Sequence, residues 1–439
     1  MLWKNSKYIK NGDIFLVDKN NERYVKDAIN KGASKIVTKT NNSYDIKTIK
    51  VKSINEYIKN NYDFNNIKLI GITGTNGKTT TCYLIYQMLL LIGIKTAYIG
   101  TIGFYLDNNI INLENTTPSI DYLYYLINKA KENNCKVVVM EVSSHALKQN
   151  RVYGLLFDAV AVTNITRDHL DYHKTKKDYI KSKMKIIKML KNKKICILNK
   201  YDKYYKKFIR KENNNYVIGK DIKIKKIRYS LNNTIIKFSD KNDYIVKTSL
   251  IGNFNVYNFL MAYKIIYELG YDYKKILDNS ILFKEPIGRM QKIDYKKNKI
   301  FIDYAHTPDA VKKVLKTINK IDNKGIITII GCGGNRDKDK RPLMGKISVK
   351  YSDYVIFTND NPRFEDERKI IYDITKKIKH KYEIIYDRKK AIEKGISMLK
   401  ENMILLILGK GHESYQIIGD KKIEFSDIKI VNKIINKND

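Results

Sequence analysis

The sequence has few cysteines and no long apolar run, and each shortage excludes a class of protein. Its four cysteines lie far apart and without paired spacing, at Cys82, Cys135, Cys196 and Cys332. This pattern argues against both a zinc site and a disulfide framework. The longest apolar runs, such as residues 403–408, are far too short to cross a bilayer. We therefore expect reduced structural thiols and no membrane insertion.

The amino-terminal residues also lack the apolar stretch and the small-residue cleavage site of a secretory signal, so we expect a cytoplasmic protein. Hydrophobic residues make up 43% of the chain and aromatic residues 11%, which excludes a disordered chain. At 439 residues the chain is too long for one compact core. It corresponds to two or three domains of roughly 100 to 200 residues each.

Acidic residues are scarce, because 46 Asp and Glu stand against 84 Lys and Arg and leave a formal net charge of +38. Such a charge is one sign of a nucleic-acid partner, since clustered lysine and arginine displace counterions from phosphates. Here the excess is nearly all lysine, is spread evenly and accompanies abundant Asn and Ile, as an AT-rich genome would produce. We favour compositional drift and no nucleic-acid partner; a nucleic-acid-binding ATPase is the alternative.

Short β-like runs alternate with helix-length segments, which predicts an α/β fold with parallel sheets. A β run at 69–72, a glycine turn and an apolar helix-like stretch at 79–91 form a β-loop-α unit. Further buried-strand candidates of this central domain are 96–99, 137–140, 159–162 and 195–198. A second series indicates a separate, Rossmann-like α/β domain. Its strand candidates are 300–303, 326–330, 354–357 and 404–408. Between the two series, residues 222–249 alternate polar and apolar and predict a β hairpin or meander.

The turn after the first central strand has the composition of a phosphate-binding loop. Such a loop needs glycines for close approach of backbone N–H groups to phosphate, a lysine for the β and γ phosphates, and a hydroxyl for Mg²⁺. Gly74, Gly77, Lys78 and Thr79 supply these parts. The spacing departs from the strict Walker A pattern, because Ile72 stands where that pattern has its first glycine. We predict ATP binding and a central P-loop ATPase domain.

Two polar clusters follow later strands of the central series. Residues 140–145 and 163–173 each begin where an apolar strand ends, at the edge where open α/β sheets bind ligands. Glu141 suits a hard cation, and His169 could join it as a neutral imidazole. Taken alone, these residues equally suit a helix N-cap and a solvated turn. Together with the phosphate loop they favour a Mg²⁺ site.

At this point the sequence resembles a known family, the Mur ligases, and is most similar to their MurE type. The resemblance rests on motifs that occur in one order over nearly all of residues 68–420. They are TGTNGKTT at 73–80, EVSSH at 141–145, TN with DHLDYH at 163–173, GNFNVYN at 252–258, GRM at 288–290, DYAHTP at 303–308, GCGG at 331–334 and GKGHE at 409–413.

The resemblance implies three domains that bind a UDP-sugar, ATP and an amino acid in turn; we place them at 1–66, 67–292 and 293–439. It also implies ATP-dependent ligation of meso-diaminopimelate to UDP-N-acetylmuramoyl-L-Ala-D-Glu through an acyl phosphate, which yields a peptidoglycan precursor. A monomer is expected. Alternatives are the same reaction with L-lysine, and folylpolyglutamate synthetase, which shares the ATP chemistry.

The resemblance further implies the residues that hold ATP and metal. Expected ATP contacts are Gly74, Thr75, Asn76, Gly77, Lys78, Thr79, Thr80, Asn255, Asn258, Arg289, Asp303 and His306. Expected Mg²⁺ ligands are Thr79, Glu141, His169 and Lys183. Lys183 aligns with a lysine that is carbamylated in similar enzymes, giving an N6-carboxylysine; without the resemblance it would be one more surface lysine. Catalytic roles are expected for Lys78, Lys183 and His169.

Two further sets of contacts follow from the same resemblance. The UDP-sugar peptide is expected at Ser6, Asn115, Thr116, Thr117, Ser143, Gln149 and Arg151. Diaminopimelate is expected at Arg336, Asp360, Asn361, Pro362, Arg363, Gly409 and Glu413. Arg363 would decide specificity, because a planar guanidinium suits a bidentate grip on the distal carboxylate that lysine lacks. Taken alone, Asp-Asn-Pro-Arg also suits a plain turn.

The amino-terminal module departs from the family pattern. Ser6-Lys7 stands where similar enzymes have Ser-Arg, and the loop expected around uracil is shortened to residues 18–24. We expect Ser6 to contact UDP, while the sequence does not define the contacts to uracil.

Overall fold

A computed structural model of the protein describes residues 1–322 and 325–438, and these residues form the mixed α/β fold with parallel sheets that the sequence predicts. Residues 323, 324 and 439, inside the predicted C-terminal domain, lie outside the described residues. None of the helices within the described ranges is long and apolar enough to span a membrane.

The amino-terminal region is a small parallel sheet with two helices. Its elements are β1 (Leu2–Trp3), β2 (Ile14–Val17), α1 (Val25–Asn30), β3 (Lys35–Thr38), β4 (Thr48–Lys50) and α2 (Ile54–Asn60), and the strands pair in sequence order. The buried Trp3 indole donates to Asp13, 2.9 Å away, which satisfies its N–H inside the module. The ring of Tyr8 stacks on that of Tyr122, with centroids 5.1 Å apart, and joins this module to the next region.

The central region contains an eight-stranded sheet. Its elements are β5 (Lys68–Thr73), α3 (Lys78–Leu91), β6 (Thr96–Gly100), β7 (Gly103–Leu106), β8 (Asn109–Ile111), α4 (Ile120–Glu132), β9 (Val137–Glu141), α5 (Ser144–Lys148), β10 (Phe157–Val162), α6 (Leu170–His173), α7 (Lys176–Met184), β11 (Leu190–Asn199) and β12 (Asn214–Ile218). The strand order is β12-β11-β10-β5-β9-β6-β7-β8, in which the pairs β6–β7 and β7–β8 are antiparallel and the other pairs are parallel. Helices cover both faces, which is why the inner strands are continuous apolar runs.

An antiparallel meander follows, as residues 222–249 predict. It consists of β13 (Lys223–Tyr229), β14 (Thr234–Asp240) and β15 (Asn242–Thr248). The next helices are α8 (Asn253–Glu268) and α9 (Tyr273–Asp278). Helix α8 packs against α3 within one apolar core that also contains a face of the central sheet. Both helices are therefore apolar on more than one side.

The carboxyl-terminal region contains a six-stranded sheet. Its elements are β16 (Gln291–Tyr295), β17 (Asn298–Asp303), α10 (Pro308–Ile321), β18 (Ile326–Ile330), α11 (Lys340–Tyr351), β19 (Tyr354–Phe357), α12 (Glu367–Thr375), β20 (Glu383–Ile384), α13 (Arg388–Ser397), β21 (Ile404–Leu408), β22 (Tyr415–Ile418), β23 (Lys421–Glu424) and α14 (Asp427–Asn438). The order is β16-β17-β21-β18-β19-β20, with only β16 antiparallel, while β22 and β23 form a separate hairpin. Apolar cores lie on both faces.

Candidate active site

Two sets of strand ends define the candidate site. In the central sheet β10, β5 and β9 are neighbours, so the loops that follow them meet at one edge. In the carboxyl-terminal sheet β17, β21, β18 and β19 are likewise adjacent. One cleft takes residues from both edges. Sequence-predicted residues that line it are Thr75, Asn76, Gly77, Lys78, Thr79, Thr80, Thr116, Glu141, His169, Asn255, Asn258, Arg289, Asp303 and His306.

The two glycines of the phosphate loop are required by close contacts. Gly74 has φ +147°, and a Cβ there would lie 1.9 Å from Thr163 Oγ1. Gly77 has φ +86°, and a Cβ there would lie 2.5 Å from Asn258 Oδ1. Both backbones adopt conformations that side chains disfavour. The loop is further tied to Asn164, whose carbonyl accepts from Thr75 N at 2.7 Å and whose side-chain oxygen accepts from Asn76 N at 3.1 Å.

Lys78, Thr79 and Glu141 form the polar floor of the cleft. The Lys78 ammonium donates to the carbonyls of Gly74 and Thr75, at 3.1 and 3.0 Å. The Thr79 hydroxyl donates to the fully buried Glu141 carboxylate at 3.1 Å. Burial lowers the pKa of Lys78, and the charge of Glu141 acts in the opposite direction. The arrangement places a cation and a carboxylate near the start of α3, the helix N-terminus that would receive phosphate.

Arg289 and Asp303 stand on the opposite wall. The Arg289 guanidinium lies 4.3 Å from the centroid of the Tyr304 ring and donates to Thr79 Oγ1 at 3.4 Å, while its Nε is buried without a partner among the described residues. Asp303 accepts from Met290 N at 2.7 Å, and burial raises its pKa to about 6. His306 Nδ1 is 2.8 Å from the carbonyl of Tyr304, and burial lowers the pKa of this histidine to about 4.

Asn255 and Asn258 lie one helical turn apart on α8, and their side chains form a hydrogen bond with each other. Asn258 Nδ2 donates to Asn255 Oδ1 at 3.1 Å, and Asn255 Nδ2 donates to the carbonyl of Ile251 at 2.9 Å. Both side chains are buried at the rim of the cleft, where their amides could meet a planar base.

His169 occupies a left-handed backbone conformation, φ 52°, just before α6. Its Nε2 lies 3.3 Å from the Asp168 carboxylate, and its ring contacts that of His145 with centroids 4.7 Å apart. Burial lowers the pKa of His169, the charge of Asp168 opposes this, and the neighbouring His145 acts in the same direction as burial. A neutral imidazole beside a carboxylate is therefore available to a metal.

Lys183 is buried and is not the surface lysine that its sequence context suggests. Only 1% of the residue is exposed, and its Nζ donates to the carbonyl of Gly74 at 2.7 Å. Lys78 donates to the same carbonyl. Burial lowers the pKa of Lys183 well below its usual value, and the charge of Lys78 lowers it further.

Most of the predicted UDP-sugar-peptide residues form one network beside Glu141. Thr117 Oγ1 donates to the carbonyl of Glu141 at 2.8 Å and accepts from Ser143 N at 3.0 Å. Arg151 donates to the carbonyl of Thr117 and to the Gln149 side chain, both at 2.8 Å. Thr116 and the exposed Asn115 directly precede Thr117 in the chain. Ser6 lies instead in the amino-terminal module, where its carbonyl accepts from Lys31.

Most of the predicted diaminopimelate residues also come together. Asn361 Nδ2 donates to Glu413 at 2.9 Å. A Cβ on Gly409, φ +112°, would lie 2.7 Å from an Asp360 carboxylate oxygen, so glycine permits this close approach. Arg363, which follows Pro362, donates to the carbonyl of Gly334 at 2.8 Å.

The aliphatic part of Arg336 lies near Arg363, because a Cβ on Gly333 would be 2.9 Å from Arg363 Nη1 and 3.9 Å from Arg336 Cγ. The half-exposed guanidinium of Arg336 lies 3.8 Å from Asp171, which follows β10 in the central region.

The site also contains residues whose roles the sequence does not predict. Asp168 lines the cleft beside His169. The fully buried Lys410 donates to Asn361 at 3.3 Å and to Glu413 at 3.1 Å, and its place inside the GKGHE motif was a usable signal. Arg167 pairs with Asp337 and Asp339 across the two regions, at 3.1 and 3.0 Å. The sequence holds no local signal for that pair, because about 170 residues separate the partners.

Two family models match the chain. The Mur ligase middle domain matches residues 72–266, and the Mur ligase glutamate ligase domain matches residues 288–411. The chain therefore belongs to the Mur ligase family.

Individual relatives match over most of their length. The chain is 39% identical over 447 residues to UDP-N-acetylmuramoyl-L-alanyl-D-glutamate--2,6-diaminopimelate ligase of Aquifex aeolicus, covering 98% of this chain and 92% of that protein. It is 44% identical over 388 residues to the protein of the same name from Buchnera aphidicola subsp. Schizaphis graminum, covering 84% and 78%.

Solved structures show the same fold. A structure of a UDP-N-acetylmuramoyl-L-alanyl-D-glutamate--2,6-diaminopimelate ligase superposes with a TM-score of 0.69 at 28% identity, covering 100% of this chain and 94% of that one. The MurF ligase from Thermotoga maritima in complex with ADP gives a TM-score of 0.72 at 17% identity, covering 99% and 97%, and so bears on the fold alone.

Proposed function

We propose that this protein is an ATP-dependent ligase that joins meso-diaminopimelate to UDP-N-acetylmuramoyl-L-Ala-D-Glu in the synthesis of peptidoglycan precursors. The observation that carries the proposal is the single cleft lined by both the phosphate loop and the opposite wall of Arg289, Asp303 and His306. Relatives that match nearly the full chain bear the name of this ligase.

The chemical problem is that an amine does not attack a carboxylate. In the proposed reaction a carboxylate oxygen of the dipeptide attacks the γ-phosphorus of ATP and ADP leaves. The amine of diaminopimelate then attacks the acyl carbon, and phosphate leaves with the former carboxylate oxygen. Positioning and charge neutralisation do most of the work in such transfers. Lys78 and Arg289 both line the cleft at the phosphate loop, and we assign both cations to phosphate oxygens.

The remaining nucleotide contacts follow from the same cleft. We assign the ribose to Asp303 and the base to Asn255 and Asn258, because these side chains line the cleft beyond the phosphate loop. We assign His306 to the nucleotide and to the contact between the two regions, because it lines the shared cleft. Its carbonyl accepts from Lys340, at the start of α11 in the same carboxyl-terminal region, at 2.8 Å.

The donor set fits Mg²⁺, which prefers oxygen ligands and keeps several waters. The Thr79 hydroxyl and the Glu141 carboxylate are hard oxygen donors within hydrogen-bonding distance of each other. Among the described residues no three His, Cys, Asp or Glu side chains are grouped closely enough to hold a metal alone. We therefore propose that Thr79 and Glu141 would hold one Mg²⁺ ion together with the bound nucleotide, and that His169 would hold a second. The ions would neutralise charge on the phosphates.

We further propose that Lys183 is carbamylated. A carbamate forms when a neutral amine attacks CO₂ and loses a proton, and burial with the nearby Lys78 charge favours the neutral amine. The product would place a negative charge beside Lys78, within reach of the phosphate loop. Full activity of Lys183→Ala without added bicarbonate would refute this role.

We assign the UDP-sugar peptide to the network of Thr117, Ser143, Gln149 and Arg151, because it adjoins Glu141 and so brings a bound carboxylate toward the phosphates. Thr116 and Asn115 extend this surface, and Ser6 would contact the UDP end. We also propose that the protein acts as a monomer. We place the reaction in the cytoplasm, where ATP is made. We retain the domain division at 66/67 and propose the second division just before β16 in place of 292/293, because β16 pairs with β17 from Gln291 onward.

We assign the amino acid to the loop from Asp360 to Arg363 and to the loop from Gly409 to Glu413. Glu413 is placed to receive the distal ammonium, and the Arg363 guanidinium to receive the distal carboxylate. Arg336 would have to leave Asp171 to join them.

The proposal is tested by phosphate release from ATP with UDP-N-acetylmuramoyl-L-Ala-D-Glu and, in separate reactions, meso-diaminopimelate, L-lysine or nucleic acid. We expect turnover with diaminopimelate and at least tenfold less with lysine, since a site built for a charged group rejects analogues that lack it, roughly by that factor or more. Stimulation by nucleic acid alone would support the competing ATPase and overturn the proposal.

The variant Arg363→Ala tests whether this arginine contributes to recognition of diaminopimelate and not to binding of ATP. We expect kcat/KM for diaminopimelate to fall about a hundredfold, which corresponds to about 3 kcal/mol for a lost charge-assisted pair. The KM for ATP should stay within about twofold. The matched control is Arg368→Ala, an exposed arginine on the following helix α12. Equal losses for both substrates would contradict the role of Arg363.

A further inference from the structure

A fully buried ion pair lies behind the two loops assigned to the amino acid. The Arg388 guanidinium and the Asp427 carboxylate both have 0% exposed side chains. Arg388 Nε donates to one Asp427 oxygen and Nη2 to the other, each at 2.8 Å. Arg388 is the first residue of α13, and Asp427 is the first residue of α14. Neither residue lines the cleft described above.

The same guanidinium also binds the main chain at the base of each loop. Nη2 donates to the carbonyl of Leu408 at 3.0 Å, and Leu408 directly precedes Gly409. Nη1 donates to the carbonyl of Asn359 at 3.3 Å, and Asn359 directly precedes Asp360. One side chain thus holds the last carbonyl before both loops.

The sheet itself does not pair these two loops. The loop at 360–363 follows β19 and the loop at 409–413 follows β21, and β18 lies between these strands. Since β19 and β21 share no ladder, the sheet relates their ends only through the intervening strand. Beyond the strand ends, Asn361 and Lys410 form side-chain hydrogen bonds between the two loops. The planar fork of arginine can donate in several directions at fixed geometry and spans this gap.

The charge of Arg388 persists inside the protein. Burial lowers its pKa, but the carboxylate of Asp427 and, at longer range, those of Asp360 and Glu413 raise it above the usual value. A buried ion pair is a weak source of stability, because well-packed apolar side chains of similar volume serve as well or better. An apolar side chain, however, cannot donate hydrogen bonds to the carbonyls of Asn359 and Leu408.

We propose that Arg388 is a positioning residue for the amino-acid site, which fixes the loop at 360–363 relative to the loop at 409–413 from behind. This inference rests on the proposed function for the identity of the ligand. Arg388 touches neither substrate nor nucleotide; it acts by setting the separation of Arg363 and Glu413, which are assigned to opposite charges at the distal end of one small molecule.

The test compares Arg388→Lys with Lys264→Met, at a temperature where both variants are folded. Lysine keeps the charge beside Asp427 but cannot donate to Asp427 and both carbonyls in the geometry of the fork. Lys264 is a matched control, because it is also buried and paired, to Asp240 at 2.9 Å, but on α8. We expect the KM for diaminopimelate to rise at least tenfold in Arg388→Lys, with the KM for ATP within twofold. Lys264→Met should be destabilised with the KM for diaminopimelate within twofold.

If Arg388→Lys does not fold, the variant Asp427→Asn tests the same proposal in the same kinetic assay. The amide still accepts one hydrogen bond from the guanidinium, so we expect a smaller rise, about threefold, in the same KM. Unchanged KM values for diaminopimelate in the folded variants, or equal rises for ATP and diaminopimelate, would overturn the proposal.

Hydrogen exchange separates this inference from the proposed function. In the absence of any substrate, the backbone amides of Asp360, Asn361 and Arg363 and those of residues 409–413 should exchange at least tenfold faster in Arg388→Lys than in the wild type. If the wild type shows no turnover with any amino acid, the proposed function fails while exchange still decides whether Arg388 joins the loops. Faster exchange at only one loop would contradict the joining role.

Discussion

At the residue scale, the phosphate loop depends on Gly74 for space as well as for conformation. A Cβ there would lie 1.9 Å from Thr163 Oγ1, a hydroxyl that itself donates to the carbonyl of Asn76 at 2.6 Å. A side chain at this position must therefore displace the loop from its partner. The positions of the Lys78 ammonium and the Thr79 hydroxyl depend on this contact between the loop and Thr163.

We expect Gly74→Ala to weaken nucleotide binding at least about tenfold, about 1.4 kcal/mol, with a strain cost of about 1–3 kcal/mol in stability. The measurement is titration with ATP alongside chemical unfolding. The control is Gly93→Ala, which has φ +82° and nothing within 4 Å of its Cβ, so only strain acts. Equal nucleotide affinities in the two variants would disprove the steric account.

Asp303 makes the stability of the folded protein depend on pH. Burial raises its pKa to about 6, whereas the unfolded carboxyl has a pKa of about 3.9. The folded protein therefore binds this proton more tightly, and the residue contributes relative stability that falls as pH rises from about 4 through about 6.

We expect wild-type stability, relative to Asp303→Asn, to be greater at pH 5 than at pH 7.5 by about 1 kcal/mol. Urea unfolding at both values measures the difference, and the variant serves as the reference because its side chain does not titrate. A difference that is the same at both pH values would show that Asp303 ionises normally.

The phosphate loop and its Lys-Thr pair could be predicted from the residues, because the chemistry of phosphate binding demands those types at short spacing. Lys183 could not. Its burial depends on contact with Gly74, 109 residues earlier, and one lysine among so many carries no local signal. Arg388 was missed for the same reason, since its partners at Asn359, Leu408 and Asp427 are scattered along the chain.

At the scale of elements, the hairpin of β22 and β23 lies against the amino-acid loop. Ile417 N donates to Asn361 Oδ1 at 2.9 Å, and the carbonyl of Ile417 accepts from Arg363 N at 3.0 Å. Gln416 also donates to the carbonyl of Asp360 at 2.6 Å. The hairpin therefore holds Asn361 and Arg363 in place through hydrogen bonds to Ile417.

We expect Ile417→Pro to raise the KM for diaminopimelate about tenfold or more, because proline removes the N–H that holds Asn361. A lost bond of about 1.4 kcal/mol corresponds to that factor. Steady-state kinetics with each substrate varied in turn is the measurement. Ile423→Ala, an exposed position on the other strand of the hairpin, should behave as the wild type. An ATP-specific defect in Ile417→Pro would argue against the bracing role.

The strands themselves could be predicted because parallel strands covered on both faces are continuous apolar runs, as in residues 137–140 and 404–408. The order of strands could not be read from these runs. It places β21 between β17 and β18, although β21 comes much later in the chain, and no local pattern encodes that pairing.

At the scale of the whole molecule, the cleft depends on how the central and carboxyl-terminal regions meet. Arg167 bridges them through Asp337 and Asp339, and Asn76 of the phosphate loop donates to Asp309 at 3.3 Å. Exposed ion pairs of this kind contribute about 0–1 kcal/mol each. They join the two walls of the cleft, but each contributes little to the free energy that holds the walls together.

The central claim is that one cleft activates a carboxylate with ATP and passes it to an amine. The direct measurement uses UDP-N-acetylmuramoyl-L-Ala-D-Glu labelled with ¹⁸O in the reacting carboxylate, with ATP and meso-diaminopimelate, and mass spectrometry of all products. The account predicts the tripeptide product, ADP and phosphate that carries one ¹⁸O per molecule. Unlabelled phosphate, or ATP consumption without the tripeptide, would contradict it.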